Sequence, residues 1–565
     1  MSIRQPIVVL SGLLLATTLT AQNQRNLLVI IPDDLGIDSI GCYGMPHPAP
    51  TPVLDSLAQA GMRFTRMYAN PACTPSRAAL LSGRYAFRNG TTSALPPGAS
   101  GITPSEVLLP QILGGAGYNT GMIGKWHLGT WGGADTPNLM GFGYFKGILD
   151  SGANPYQWPM VEQGTTTVCT NYIMTEMTNS VISWIQAQTG PWVMVFTPTL
   201  PHVPYHTPPA SLHTQNLAGL SPATTPRPFF EAMVQAMDTE IGRLLTSLSP
   251  SVLANTNIVV IPHNGTDNSV AMAPVQPSHA KGSLYEFGSH VPLIVKGPAV
   301  AVPGSVCSAL LSGVDLMPTL VEMCGVQMPA LPPSAPLDGL SFASMLANPG
   351  LPGRPFVYSE ITGTPLGQGY TVLSDSHRLI RYMRTQPQHQ ELYCVTADPL
   401  EQADLLTTTS ATQQLAASGL MGAMDQIRRD GWAELFGAGC ASGANTTTFS
   451  TQTNPEIGHN FYLSVQNLPT SALGSIVMVG LSRTSAGGVP LPVDLTVFGS
   501  QGCELAVSPD LLLSVGPNGI SAPVMIPAIT SLYGFEVYCQ AVIADPQATA
   551  NGLAWSRSLR CIIGE

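Results

Sequence analysis

Asn26-Leu27-Leu28-Val29-Ile30-Ile31-Pro32-Asp33-Asp34 is the stretch on which the fold turns. Residues 26–31 form a run that is apolar throughout after Asn26 and ends abruptly at proline and two carboxylates. A run apolar on both faces suits a sheet covered by helices on either side, not a strand with one wet face. Similar short runs recur at 192–196, 257–261 and 291–295, each bounded by Pro, Gly, His or Asn. Helical patterns lie between them. Val53, Leu54, Leu57 and Ala58 are spaced for a helix over 51–60, and Met233, Met237, Ile241, Leu244 and Leu245 for one over 229–248. Strands alternating with helices predict an α/β fold with a largely parallel central sheet. Polar residues fall just past the strand ends, where such sheets place their ligands.

Outward from that core the texture changes. From about residue 436 helical periodicity vanishes, and short strand-like runs at 461–465, 474–481, 495–498 and 535–543 are separated by Gly, Pro, Ser and Asn. Regular short strands predict an all-β module, of sandwich type. At the other end, Arg4 precedes an apolar run over 7–19, and Ala21-Gln22 offers a cleavage point. This reads as an export signal over 1–21. The run is short for a membrane span, and a lipid-facing anchor is the alternative. Export, to a periplasm or the outside, implies an oxidising compartment. Of the ten cysteines, Cys440, Cys503, Cys539 and Cys561 form an even set late in the chain, where two disulfides of unspecified pairing are expected.

The 565 residues allow two to four domains, and 44% are hydrophobic, enough for a large core. Charged residues are only 10% and the net charge is −11. No basic stripe is available to neutralise phosphates, which argues against nucleic acid as partner. A small anion remains possible, because a few local cations can dominate a cleft.

Several motifs carry chemistry. Asp33 and Asp34 at a strand end, followed by Leu35-Gly36, Asp38 and Gly41-Cys42-Tyr43-Gly44, suit a hard divalent cation, although a paired turn or cap is the plainer reading of two aspartates alone. Cys73-Thr74-Pro75-Ser76-Arg77 runs on through Leu80 and Leu81 to Ser82-Gly83-Arg84. Gly124-Lys125-Trp126-His127-Leu128-Gly129 places a lysine and a histidine two apart, on one side of an extended segment. Pro201-His202-Val203-Pro204 with Pro208 follows the run at 192–196, and His206 lies nearby. Ser278-His279-Ala280-Lys281-Gly282 leads to Tyr285-Glu286-Phe287-Gly288 and Val291-Pro292-Leu293-Ile294. Glu391-Leu392-Tyr393, Asp398-Pro399 and Glu401 close the series. Only four lysines exist, and Lys125 and Lys281 both fall in these motifs while Lys146 and Lys296 do not.

In this order, over roughly residues 26–430, the motifs resemble those of the formylglycine-dependent sulfatases of the alkaline-phosphatase-like superfamily. The resemblance implies that Cys73 is oxidised to formylglycine by a formylglycine-generating enzyme. The hydrated aldehyde then attacks a sulfate monoester carried by a small molecule or glycan. It implies that Asp33, Asp34, the Cys73-derived group and Asn264 bind Ca2+. It gives Arg77 and Lys125 to the sulfate oxygens, Lys281 a bridge between the sulfate and the leaving oxygen, His127 the role of base, and His202 that of proton donor to the leaving alcohol or of sulfate ligand. It divides the chain into a catalytic domain over 24–435, whose smaller C-terminal part is 355–435, and the β-sandwich-like module over 436–565. Ser151 matches a sulfate-binding position too loosely to use.

One position departs. After 257–261 the family usually has Ser-Asp-Asn-Gly, and this chain has Pro262-His263-Asn264-Gly265. Calcium prefers oxygen, so imidazole is an inferior ligand for it. His263 binds a softer ion, or turns away while water or Asp267 fills the gap, or the site loses its metal. Two rival functions follow: a phosphoester hydrolase on the same scaffold, and a catalytically silent glycan-binding relative.

Overall fold

The computed structural model describes residues 24–429 apart from 332–336, 365–366, 383–388 and 408–409, together with parts of 433–562. The expected leader lies outside the described residues. The central sheet contains β1 (Asn26–Ile30), β2 (Met62–Tyr68), β3 (Asn119–Lys125), β4 (Tyr144–Ile148), β5 (Trp158–Glu162), β6 (Thr165–Cys169), β7 (Trp192–Thr197), β8 (Thr256–Val260), β9 (His290–Lys296), β10 (Ser305–Cys307) and β11 (Leu311–Ser312). Its order is β10-β2-β9-β8-β1-β7-β3-β4-β5-β6, with β11 also paired to β2. β8, β1, β7, β3 and β4 run parallel to their neighbours within that group. β9 runs antiparallel to both β2 and β8, and β5 and β6 form an antiparallel edge. The sheet is therefore mixed and mostly parallel.

Alternation along β1 shows why its sequence is apolar after Asn26. Leu27 and Val29 enter one core, and Leu28 and Ile30 enter the other. The first core takes in residues of α2 (Cys73–Ser82) and of the helices Leu109–Gly115 and Leu316–Met323. The second takes in α1 (Pro52–Ala60) and the helices Ile173–Gln186 and Pro226–Ser247. The helices expected over 51–60 and 229–248 are both present, the second starting earlier because Pro226 supplies a pre-set first turn. The apolar run at 291–295 is a strand of this sheet, with direction opposite to its neighbours. Burial on both faces gives no information about direction.

A second sheet, β12 (Val357–Thr364), β13 (Gly367–Leu373), β14 (His377–Tyr382) and β15 (His389–Cys394), is an antiparallel meander. The helix Ala411–Arg429 packs against it through Leu420 and Met424. Beyond it an all-β module is built on a sheet ordered Ala433–Phe436, Leu553–Ile562, Glu536–Ala544, Gly474–Gly480, Leu511–Ser514. The run at 461–465 is split into Asn460–Phe461 and Leu463–Gln466, and part of 495–498 lies outside the described residues. Cys440 and Cys503 also lie outside them. Cys539 and Cys561 are free thiols in contact, both fully buried. Cys539 faces Leu559 and Cys561 faces Val537, so the two cysteines are diagonal neighbours and not a directly opposed pair. Diagonal positions hold their backbones at about 7–8 Å, at or beyond the usual reach of a disulfide.

Candidate active site

The site lies at the carboxyl ends of the parallel strands, where β1, β3, β7 and β8 release their loops. Asp33 and Asp34 follow β1, Lys125 ends β3, His202 follows β7, and His263 and Asn264 follow β8. Asp34 and His127 both adopt left-handed backbone, φ 66° and 52°. For non-glycine residues that conformation costs roughly 1–3 kcal/mol each and collects at functional sites. Gly124 makes the end of β3 possible. Its φ is 124°, and a Cβ there would stand 2.0 Å from the Thr197 carbonyl oxygen.

Cys73 opens α2, whose ten residues are all buried. Pro75 fits the first turn, and Gly83 closes the helix in the left-handed region with φ 68°. The positive end of the helix thus points at the site. Thr74 fixes this end. Its Oγ1 donates to the His127 carbonyl at 3.1 Å and accepts from the Leu95 amide at 3.2 Å. The Leu95 carbonyl in turn accepts from His127 Nε2 at 3.1 Å. A carbonyl can only accept, so the proton of neutral His127 is on Nε2 and Nδ1 keeps its lone pair. That Nδ1 is buried with no hydrogen-bond partner. Burial, with Lys125 and Arg77 beside the ring, pulls His127 down to about 4.

Asp33 and Asp34 are fully buried. Lys125 Nζ donates to Asp33 Oδ2 at 2.8 Å, and Lys281 Nζ donates to Asp34 Oδ2. His263 Nε2 donates to Asp33 Oδ1 at 2.7 Å, and Asn264 Nδ2 to Asp34 Oδ1 at 2.8 Å. His202 Nε2 stands 3.6 Å from Asp34 Oδ2, while its Nδ1 donates to the Val203 carbonyl at 2.6 Å. Burial alone would raise Asp33, yet Lys125, His202 and His263 hold it well below the usual carboxylate range. For Asp34 burial is likewise outweighed, by Lys281 and His202. His202 shows the reverse balance: burial lowers it, and Asp33 and Asp34 carry it above the ordinary imidazole value. The thiol of Cys73 touches His202.

Arg77 is 2% exposed and donates through NH1 to the Lys125 carbonyl at 2.9 Å. Its Nε and NH2 are buried without hydrogen-bond partners, and NH2 is 3.5 Å from Asp33 Oδ2. Two fixed, buried donors are therefore left without a hydrogen-bond partner, a deficit that a small anion would satisfy. A cleft of about 330 Å³ is lined by Asp33, Lys125, Ser151, His202 and His206. Arg84, at the end of the same motif, does not join the site and forms a buried pair with Glu106 at 2.6 Å.

Ligand atoms of Asp33, Asp34, Cys73 and His263 all lie within 4.8 Å of one another. The donor set fits a divalent cation. Two polar atoms beside it, His263 Nδ1 and Asn264 Oδ1, are buried and unpaired. The amide of Asn264 turns its nitrogen to Asp34, and the oxygen takes that place on a flip of the side chain. His263 has not turned away from the cluster, and Asp267 does not fill the gap. Asp267 Oδ1 accepts from the Ser269 amide at 3.0 Å and from its hydroxyl at 2.5 Å, capping its own turn.

Sequence reasoning missed the framework behind the site. Glu391 Oε2 accepts from Tyr285 at 2.6 Å and from Tyr393 at 2.8 Å. Glu401 accepts from the Glu286 amide at 2.7 Å, and Arg378 bridges Glu401 and Glu286 at 2.5 and 2.6 Å. The closing motif thus braces the segment that carries Lys281. Ser151 and His206 line the cleft although their spacing gave little signal. Leu95 gave none, because it acts through its backbone.

The comparisons agree with this arrangement. Residues 25–326 match the Sulfatase family, and residues 278–429 match the C-terminal region of N-sulphoglucosamine sulphohydrolase. Human arylsulfatase A is 32% identical over 370 residues, 60% of this chain and 71% of that protein. N-acetylgalactosamine-6-sulfatase from Sus scrofa is 28% identical over 410 residues, 64% of this chain and 74% of that protein. Among solved structures, Ps i-CgsB in complex with k-i-k-neocarrahexaose superposes with a TM-score of 0.63 at 24% identity, covering 72% of this chain and 93% of that one. The fold of BT4656, solved with its substrate D-glucosamine-2-N,6-O-disulfate, is also shared, with TM-score 0.60 and 22% identity over 72% of this chain and 98% of that one. With the family match spanning more than half the chain, this protein belongs to the sulfatase family and is a sulfuric ester hydrolase.

Proposed function

We propose that the enzyme hydrolyses a sulfate monoester on a sulfated carbohydrate, with Cys73 as the precursor of its nucleophile. The observation that carries this reading is the placement of Cys73. It stands at the buried start of α2, in contact with His202 and within 4.8 Å of Asp33, Asp34 and His263. The carbohydrate is supported by the fold neighbours named above, two of which were solved with saccharides. A formylglycine-generating enzyme would oxidise the Cys73 thiol to an aldehyde, whose hydrate supplies a hard oxygen nucleophile. A divalent cation held by Asp33, Asp34, His263, Asn264 and the oxygen derived from Cys73 would supply Lewis-acid polarisation and a template. Calcium is the ion that the family resemblance implies.

The chain's own residues divide the remaining work. Nε and NH2 of Arg77, with Lys125 and Lys281, bind the sulfate oxygens and oppose charge that grows as the ester bond breaks. His202, whose hold on a proton is weakened by burial and strengthened on balance by the two aspartates, donates through Nε2 to the leaving alcohol oxygen. His127 stays neutral and takes a proton at Nδ1, which drives release of sulfate. Splitting the reaction into attack and release makes two easier steps from one hard step. Activity outside the cytoplasm follows from the apolar leader at 1–21. Among the described residues no helix is long and apolar enough to cross a membrane.

Sulfate release from sulfated oligosaccharides, with matched aryl sulfate and aryl phosphate controls, tests the proposal. Cys73→Ala is expected to abolish release, and peptide mass spectrometry of active protein should find the aldehyde at position 73. Full activity in the variant, or faster turnover of the phosphate, would end the reading.

A further inference from the structure

We propose that the cation site of this enzyme selects a nitrogen-accepting divalent ion of the zinc class over calcium, and that His263 is the residue that sets the choice. The inference rests on the sulfatase reading only for the location of the ion.

Three observations carry it. First, the donor set is mixed. Asp33 and Asp34 are the carboxylates in the cluster, and an imidazole stands with them. Calcium takes 6–8 oxygen ligands, and its affinity is tuned by the number of charged ones. Imidazole suits zinc and its neighbours in the first transition row, which bind nitrogen more tightly than manganese or the alkaline earths. Second, among the described residues the two nearest candidates to restore an all-oxygen shell, Asp267 and Asp38, are already engaged. Asp267 is engaged by Ser269. Asp38 accepts from Thr266 Oγ1 at 2.7 Å and from Ser39 Oγ at 3.3 Å. Third, His263 cannot withdraw. It has no solvent exposure, follows Pro262 directly, and presses Nε2 against Asp33 Oδ1 at 2.7 Å. An ion entering between Asp33, Asp34 and the first residue of α2 meets that ring nitrogen, which becomes a ligand when the imidazole proton moves to Nδ1, buried beside it without a hydrogen-bond partner. The buried Asn264 Oδ1, unpaired beside it, offers one more oxygen. Two carboxylates, one imidazole and one amide oxygen, with the Cys73-derived group as a further donor, make a mixed shell that falls short of the roughly 6–8 oxygens calcium takes and lies within the four or five positions zinc uses.

The charge balance points the same way. Lys125, Lys281 and Arg77 crowd the two aspartates. A hard ion held chiefly by charge must compete with these cations for two carboxylates. An ion that also forms a bond to neutral nitrogen has a further source of affinity that they do not oppose.

The test uses the full chain, stripped of metal with a chelator and dialysed against Zn2+ alone or Ca2+ alone, with bound metal counted by elemental analysis. The wild type should take up one Zn2+ per chain with a Kd at least about tenfold below that for Ca2+. His263→Asp should shift the ratio of the two affinities towards Ca2+ by at least about tenfold. His263→Gln, which keeps a neutral side chain of similar size, covers the case in which the aspartate variant fails to fold, and it should lose Zn2+ preference too. Repeating the titration with Cys73→Ala keeps an unoxidised thiol from supplying the preference. X-ray absorption at the zinc edge should show imidazole scattering in the wild type and none in His263→Asp. Tighter Ca2+ than Zn2+ binding by the wild type overturns the inference, as does an unchanged ratio in both His263 variants. Sulfate release is read separately on the same samples. Sulfate release by a protein that binds Ca2+ more tightly than Zn2+ would sink this inference and leave the sulfatase reading intact. Zinc selectivity without any sulfate release would do the opposite.

Discussion

His127 holds the clearest single-residue consequence. Its ring is pulled down to about 4 by burial, Lys125 and Arg77. A base must be neutral to accept a proton, so its working form is lost only as pH falls through that value. The acid limb of kcat, which includes sulfate release, is therefore expected near pH 4, well below an ordinary imidazole near 6.5. Replacing Lys125 by Met removes one cation that depresses His127, and the acid limb should move upward in pH; a limb that stays in place would remove His127 as its source. Lys281 makes the complementary case. Its ammonium is held charged by Asp34 against the pull of burial. Lys281→Ala is expected to reduce kcat by about 10²–10³, the loss of one preorganised contact. A change confined to KM would show that Lys281 binds substrate and transition state alike.

Elements place these residues, and Thr74 shows how. Its hydroxyl links the start of α2 to the carbonyl of His127 and to the amide of Leu95. Thr74→Val preserves shape and leaves the buried His127 carbonyl unpaired, a cost of about 1–3 kcal/mol, together with the half-buried Leu95 amide. Because Leu95 also fixes the tautomer of His127, the variant should lose kcat more than KM and shift the acid limb. Thermal unfolding alone would not separate this positioning role from a structural one. The site was legible in the sequence wherever chemistry sits in a side chain near a strand end. Asp33, Arg77, Lys125, His127, His202, Lys281 and His263 were all named from motifs that resemble the sulfatase pattern, and the structure brings them together. What stayed hidden was support that comes through backbone atoms or across long separations. The carboxylates Glu391 and Glu401 read as a marker with no evident task, because their partners Tyr285 and Glu286 lie more than a hundred residues earlier.

Across the whole molecule, apolar periodicity revealed the α/β layers and the texture of the C-terminal module. It could not reveal the reversed direction of β9 or the meander β12–β15. Both depend on pairing partners, which a doubly buried strand does not announce. That meander meets the catalytic layers at Glu360, and here the assembly becomes sensitive to pH. Glu360 is fully buried on β12, and its Oε1 accepts from the Phe87 amide at 2.7 Å. Burial is the largest influence and lifts the carboxyl from its ordinary 4.5 to about 7, although Arg428 draws it down. The folded state thus holds a proton that the unfolded chain has released between those two values. Stability from this group is fully present below pH 4.5 and lost as pH rises through about 7. At 1.36 kcal/mol per pH unit, the span corresponds to roughly 3 kcal/mol at most. Glu360→Gln cannot ionise and retains the carbonyl acceptor for Phe87. Its unfolding free energy, followed by denaturant titration at pH 5 and pH 8, should fall less than that of the wild type over the same interval. Parallel losses in the two proteins would mean that Glu360 is ionised throughout, held by Arg428 at 3.7 Å, and that the junction of the two sheets is not the seat of the pH response.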